Sequence, residues 1–385
     1  MPTRSPDPAP EAPATAYLYM DAMRAVLALA VTFGHAWVLA IRDYRPTAEI
    51  GTRVLYGLAG FAHPAVMMFF VLSGYWIGRS VVGRAERGWC WRGYLLDRLS
   101  RLLLVLVPAL LLGGALDAVG LWTLDLPTLW HRTGSWVLNK DVAADLSPVT
   151  LAGNLLFLQG IAVNAFGSNG PLWSVAAEFW YYLWFPALWL SWRSGRASAM
   201  LATLGVGFAA PALLQWFPVW LCGAALVALE RQGAMRTAGR GTRRCVAIAA
   251  VLAFAVALAA ARLGGAVWED WGLGIGFAAL IWATLIARPR VVRGVRMLAW
   301  YGARASFSLY AIHFPVVALI VGVAIGGRRS APDAAGIAIV AAATAAAVAT
   351  SIPFARLTEA RTRAVRERLA RWLAGRGVAA AGAAI

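Results

Sequence analysis

Residues 18–40 read LYMDAMRAVLALAVTFGHAWVLA. The run is long and apolar enough to cross a bilayer as a helix. It nevertheless carries Asp21, Arg24 and His35. A charge in hydrocarbon costs a few kcal/mol or more, so ionisable groups in such runs face a bundle interior and mark functional sites. Arg24 and His35 are eleven positions apart. At about 100° and 1.5 Å per residue they share nearly one helix face, roughly 16 Å apart along the axis. One face thus presents a fixed cation low down and a titratable base higher up.

The rest of the chain agrees with a membrane reading. Of 385 residues, 61% are hydrophobic and 14% charged, with a mean hydropathy of +0.66. No soluble domain of this length needs so much apolar surface, so the fold class is all-α, a polytopic helical membrane protein. The net charge of +17 would suggest nucleic acid in a soluble protein. Here the arginines sit at the ends of apolar runs, which makes them a topology signal and excludes nucleic acid as a partner. Cys90, Cys222 and Cys245 have neither metal-type spacing nor a disulfide pattern, so no metal is expected. Residues 1–16, rich in Pro and Ala, read as a disordered tail. They lack the pattern of a cleaved signal peptide, and the first helix reads as a retained anchor.

About ten spans emerge, roughly 18–40, 60–82, 95–118, 171–192, 197–213, 214–230, 244–262, 268–287, 303–327 and 333–355. Every second loop is basic. Arg79, Arg84, Arg87 and Arg92 follow the second span, and Arg193 and Arg196 the fourth. Arg231, Arg236, Arg240, Arg243 and Arg244 follow the sixth, and Arg288, Arg290, Arg293 and Arg296 the eighth. The intervening loops hold Asp125, Asp141, Asp145, Glu269 and Asp270. The positive-inside rule then puts both termini in the cytoplasm, with Arg328 and Arg329 as a mild exception. The soluble stretch 119–170 falls outside and includes LAGNLLFLQG, too short to span. Residues 356–385 hold seven arginines, with Val365, Leu369, Trp372 and Leu373 at helical spacing. That pattern predicts an amphipathic helix on anionic membrane lipids. Residues 17–355 form the membrane domain between these tails.

Counting from the outer ends of their spans, His35 lies roughly 8 Å deep and Glu178 roughly 10 Å deep. A His–carboxylate pair at one level suits general-base chemistry. The plainer alternative is that each is a satisfied polar residue joining helices. Arg98 and Arg101, three residues apart, share a face at the start of the third span. With Arg24 they suit the phosphates of a nucleotide-like ligand entering from the cytoplasm, or else simply anchor helix ends. Asp21, one turn before Arg24, is placed to pair with it. Ser73 and Gly74 offer either a ligand contact or close helix approach, and the same choice stands for Ser306, Ser308, Tyr310 and His313.

Five segments, in order, resemble the acyltransferase family 3 membrane proteins. YMDAMRAVLALAVTFGHA is similar to LDGLRALAALLVVLGHA, keeping the Arg-to-His spacing at Arg24 and His35. MFFVLSGYWI resembles FFVLSGFLI, and Arg98-x-x-Arg101 matches an Arg-x-x-Arg pair. GPLWSVAAEFWYYLWFP resembles GPLWSLSVEEQFYLLFP, and SFSLYAIHFPV resembles SYSLYLWHFPV. Two departures stand out. Ala22 replaces a common Gly, and Phe179 replaces the second acid of a Glu-Glu pair, leaving Glu178 alone.

The resemblance implies an acyl-CoA donor, acetyl-CoA foremost, as substrate rather than a resident cofactor. Arg24, Arg98 and Arg101 would hold its phosphates. His35 would act as general base, or else as the carrier of a covalent acyl group, with Glu178 orienting it or the acceptor. Asp21, Ser73, Trp173, Ser174, Tyr310 and His313 would support the site. The implied acceptor is a carbohydrate hydroxyl or a glycosylated molecule, at a bacterial inner membrane, and the chain is expected to work as a stand-alone transferase. A rival reading is an exporter of an anionic or saccharide solute. It lacks paired, broken helices in matching halves.

Overall fold

The computed structural model describes residues 14–46, 49–194, 198–232, 239–287 and 289–382. Residues 1–13 of the Pro-rich start, Arg196, and Arg236 and Arg288 of the basic loops, lie outside the described residues. The helices are α1 (Ala14–Ala40), α2 (Ile50–Ala59), α3 (Ala62–Glu86), α4 (Trp91–Ala118) and α5 (Pro148–Leu155). They continue with α6 (Trp173–Ser194), α7 (Ser198–Ala209), α8 (Pro211–Arg231) and α9 (Arg240–Leu263). The last are α10 (Val267–Ala287), α11 (Arg293–Ile325), α12 (Ala334–Leu357) and α13 (Thr362–Gly382). Among the described residues there is no strand, and two isolated bridges, Ile41 with Ser330 and Gln159 with Val163, are the whole of the β pairing. The protein is an all-helical, multi-pass membrane protein.

Among the described residues, eight helices are long and apolar enough to cross a membrane. The ten expected spans exceed this by α6 and α7. Helix α7 has 12 residues, about 18 Å of helix, too short for a hydrocarbon core of about 30 Å. Helix α6 has 22 residues, but WSVAAEFWYYLWFPALWLSWRS is filled by Trp and Tyr, whose N–H and O–H groups lower its apolarity.

The described chain forms two compact units, and α1, α3, α8 and α11 each contribute to both. The first contains residues up to Val26, Met67–Val82 and Leu214–Ala303. In it α3 crosses α8 backbone to backbone. A Cβ on Gly74 would collide with the Trp220 carbonyl, and one on Gly223 with the Val71 carbonyl. Small residues at such a crossing let two helices touch along their main chains, a strong packing device where lipid supplies no hydrophobic drive. Ser73 accepts from Trp220 Nε1 at 3.3 Å in the same crossing. Of the two roles open to Ser73 and Gly74, close helix approach is thus occupied. Here too Arg79 and Glu230 pair at 2.8 Å. The Tyr75 hydroxyl donates to the same carboxylate at 3.0 Å, and the Arg79 guanidinium lies over the Tyr17 and Tyr75 rings.

The second unit contains Leu27–Val66, Gly83–Leu213 and Arg304–Ile385. Its core joins α4, α11 and α12 through Val105, Ala109, Ala311 and Ile312, with Phe307 and Phe354 against them. The 119–170 stretch folds over short elements. Ser147 caps α5 by accepting from the Thr150 N–H at 3.2 Å, with Pro148 at the first helical position. Lys140 reaches Asp145 at 3.1 Å, and Asn164 donates to the same carboxylate at 3.0 Å. Burial pulls the Lys140 ammonium below its ordinary range, and the nearby Asp145 opposes that pull.

Arg329, the exception to the charge rule, is neutralised where it stands. It binds Asp43 through two parallel bonds of 2.7 and 2.8 Å. It also donates to the carbonyls of Ile41 and Gly134, each at 3.2 Å. These bonds hold the Asp43 carboxyl below its usual range. Of the tail expected to form an amphipathic helix, residues Thr362–Gly382 form α13. It lies along α4, with Arg366 3.5 Å from Asp97 and Arg92 donating to the Leu373 carbonyl at 3.3 Å. Leu369 and Trp372 remain exposed.

Candidate active site

The densest set of sequence-selected residues lies in the second unit, where α11 meets α1 and the start of α6. His313 is fully buried and His35 half-buried. Their rings stack at 5.1 Å, 11° from parallel, and His35 Nδ1 is 2.8 Å from His313 Nε2. The edge of Phe314 closes against His35.

The partners determine the tautomers. His313 Nδ1 lies 2.7 Å from the Tyr310 carbonyl. A carbonyl only accepts, so His313 carries its proton on Nδ1 and, when neutral, offers a lone pair on Nε2. His35 must then donate from Nδ1, which leaves His35 Nε2 as the lone-pair nitrogen. Among the described residues that nitrogen has no partner. The pair is thus wired like a base with an orienting group behind it: one imidazole fixes the proton of the other and leaves a single basic atom facing the half-open side.

The sequence reading matched His35 with Glu178 by depth. The structure gives His35 to His313 instead. The Glu178 carboxylate accepts a close bond from the Tyr182 hydroxyl one turn along α6. Glu178 is within electrostatic reach of Tyr310, and Tyr182 within reach of Arg98 and Arg101. The arginines, Tyr182, Glu178, Tyr310, His313 and His35 thus all belong to this one unit. Arg98 lies over the Tyr94 ring at 5.7 Å, and Arg101 is exposed. Arg24 belongs to the first unit and pairs with Asp21 at 3.5 Å across one helical turn, as its spacing suggests.

Local folding around the pair follows from proline chemistry. A proline inside a helix has no N–H for the carbonyl four residues earlier. Pro315 therefore frees the carbonyl of Ala311, and Pro186 that of Tyr182. Both freed carbonyls are met by a side chain from elsewhere. Asn169 Nδ2 donates to Ala311 at 2.9 Å, and the Tyr94 hydroxyl donates to Tyr182 at 2.9 Å. The Ser174 and Tyr310 hydroxyls are 2.6 Å apart and one donates to the other, which leaves a single proton for the Pro171 carbonyl, 3.1 Å from both. Trp173 begins α6 half-buried beside them. Asn169 and Tyr94 had no signal in composition or spacing. Only the prolines four residues downstream hinted that a cap was needed, and nothing in the sequence said from where. Ser308 faces away from this set and binds Glu359 at 3.0 Å.

No curated protein and no solved structure matches the chain significantly. A family model described as an acyltransferase domain matches residues 17–356. With five motifs in order, eight helices among the described residues long and apolar enough to span a membrane, and this family match, the chain belongs to acyltransferase family 3: it is an integral-membrane acyltransferase, working with an acyl donor, an acceptor and membrane lipids.

Proposed function

We propose that the enzyme moves an acetyl or other short acyl group from acyl-CoA to a hydroxyl of a carbohydrate or glycosylated acceptor at the bacterial inner membrane. The observation that carries this reading is the Nε2 of His35, which has no partner among the described residues and is left as the lone-pair nitrogen by the bond from Nδ1 to His313 behind it. In the proposed step Nε2 takes the proton of the acceptor hydroxyl while that oxygen attacks the thioester carbonyl carbon. The tetrahedral intermediate collapses, the C–S bond breaks, and the CoA thiolate takes the proton back from His35. The products are the ester and free CoA. The His313 lone pair, bonded to Nδ1–H, stabilises the imidazolium between the two proton transfers.

Arg98 and Arg101, with their planar forks, suit the donor's phosphates. Arg24 is a further candidate for that role. Glu178, bonded to Tyr182, suits the path between the arginines and the base, where it would orient the acceptor. The basic loops favour a cytoplasmic mouth for the donor, and the exposed arginines and Trp372 of α13 suit anionic lipid on that side. The step as written calls on no resident cofactor or metal.

The test is acyl transfer in membranes holding matched amounts of wild type and His35→Ala, with labelled acetyl-CoA. The expected loss is about 10²–10⁴-fold, the range for a general base, with CoA binding retained. Equal transfer by both proteins would make His35 structural.

A further inference from the structure

We infer that Asn169 is a positioning residue: its amide replaces the hydrogen bond that Pro315 removes from α11, and so sets the orientation of His313 and the tautomer of His35. The inference rests on the reading of the imidazole pair given above. The Ala311 carbonyl lies on the turn that carries both Tyr310 and His313. Ala311 is 1% exposed, so water does not replace the missing N–H. An orphaned carbonyl there would be costly, and the turn would unwind or shift to find a donor. Asn169 Nδ2 supplies the donor at 2.9 Å. The assignment of the amide follows from chemistry, since a carbonyl accepts only from the nitrogen end.

Three further features mark the contact as built. Asn169 is 1% exposed, and its Oδ1 is buried without a hydrogen-bond partner. A leucine would avoid that cost, so the residue serves here through its donor. Its backbone is anchored, with its own N–H on the Phe166 carbonyl at 3.3 Å. The preceding N–H, of Ser168, donates to the buried Asp117 carboxylate at 2.6 Å. Gly113 makes room on α4: a Cβ there would stand 3.2 Å from Pro315 Cγ and 3.9 Å from Asn169 Nδ2. With Ser174 and Pro171 holding the Tyr310 hydroxyl, the segment 169–174 grips the proline-opened turn on two successive residues.

The test is a cycle of Asn169→Leu, Pro315→Ala and their combination. An alanine at 315 restores the helix's own N–H, so it makes Asn169 dispensable. The full chain, ¹⁵N-labelled at histidine, is placed in lipid nanodiscs. The readout is the nitrogen–nitrogen coupling across the His35–His313 bond, which needs no substrate. Expected is coupling in wild type and Pro315→Ala, its loss in Asn169→Leu, and its return in the double variant. Labelled acyl transfer should fall about 10–100-fold in Asn169→Leu, as for lost orienting partners, through kcat with KM unchanged, and recover in the double variant. Coupling that survives Asn169→Leu would overturn the role of Asn169 alone, and coupling absent from wild type would overturn the imidazole pair itself. If Asn169→Leu does not fold, a folded and coupled double variant supports the inference. A double variant that also fails to fold overturns it.

Discussion

Among the described residues, each unit holds a cluster of aromatic rings and titratable groups inside its helices, and these two are satisfied in opposite ways. In the first unit Arg79, Glu230 and Tyr75 close on one another, with the guanidinium spent on a carboxylate and two rings. In the second, His35 and His313 form a chain with a loose end, because the carbonyl of Tyr310 consumes one proton and the last nitrogen is left over. A closed set of polar groups in a membrane holds helices together. A set with one uncommitted lone pair can accept a proton. The difference is one of connectivity, since both clusters combine buried rings with titratable groups.

His313→Phe would test the contrast most severely. Phenylalanine keeps the stacking volume but leaves the Nδ1–H of His35 without an acceptor. Transfer should drop about a hundredfold, while the thermal midpoint moves little. Next in size is Glu230→Gln, which leaves Arg79 without its counter-charge. Stability should fall by about 1–2 kcal/mol, a value reduced for the solvent that reaches the Arg79 side chain, with turnover per folded molecule unchanged. If turnover fell as far as in His313→Phe, the closed cluster would be part of the chemistry and the contrast would collapse. The smallest effect is expected at the loop ends, from Asp43→Asn. Arg329 lowers the folded pKa of Asp43, so their bond stabilises above the ordinary carboxylate range and is lost as pH falls through the depressed value. The variant should cost less than about 1 kcal/mol at neutral pH. It should also abolish any stability change from this site below about pH 4. Denaturation curves at pH 3 and pH 7 would show it.

Much of this was legible in the chain. Run length gives the spanning helices, and the charge in residues 18–40 picks out His35 because hydrocarbon makes such a residue expensive. The pairing of His35 was not legible. Spacing along one helix gives face and depth, but the partner is 278 positions away, and helix rotation in a bundle leaves no mark in hydropathy. Counting depth alone offered Glu178 as the partner, whereas His35 Nδ1 meets His313. Asn169 and Tyr94 were invisible for a related reason: a cap for a freed carbonyl is chosen by tertiary proximity. Helices α6 and α7 stand apart from the eight clear spanning helices because one is rich in Trp and Tyr and the other is short, and run length in the sequence registers both as hydrophobic.

Phe179 stands where the resemblance to the family would put a second acid. Its ring lies flat on Phe157, centroids 4.2 Å apart. Phe157 sits at φ 58°, a strained conformation for a bulky residue, and Trp180 holds its carbonyl at 3.0 Å. The clasp between α6 and the segment after α5 is therefore made by two faces of carbon. Apart from the neutral Trp180 bond it is apolar, with no group that titrates and no charge for salt to screen. Its strength follows temperature instead, weakening on cooling as apolar contacts do. This clasp should keep its shape across acid and brine, and lose it first in the cold.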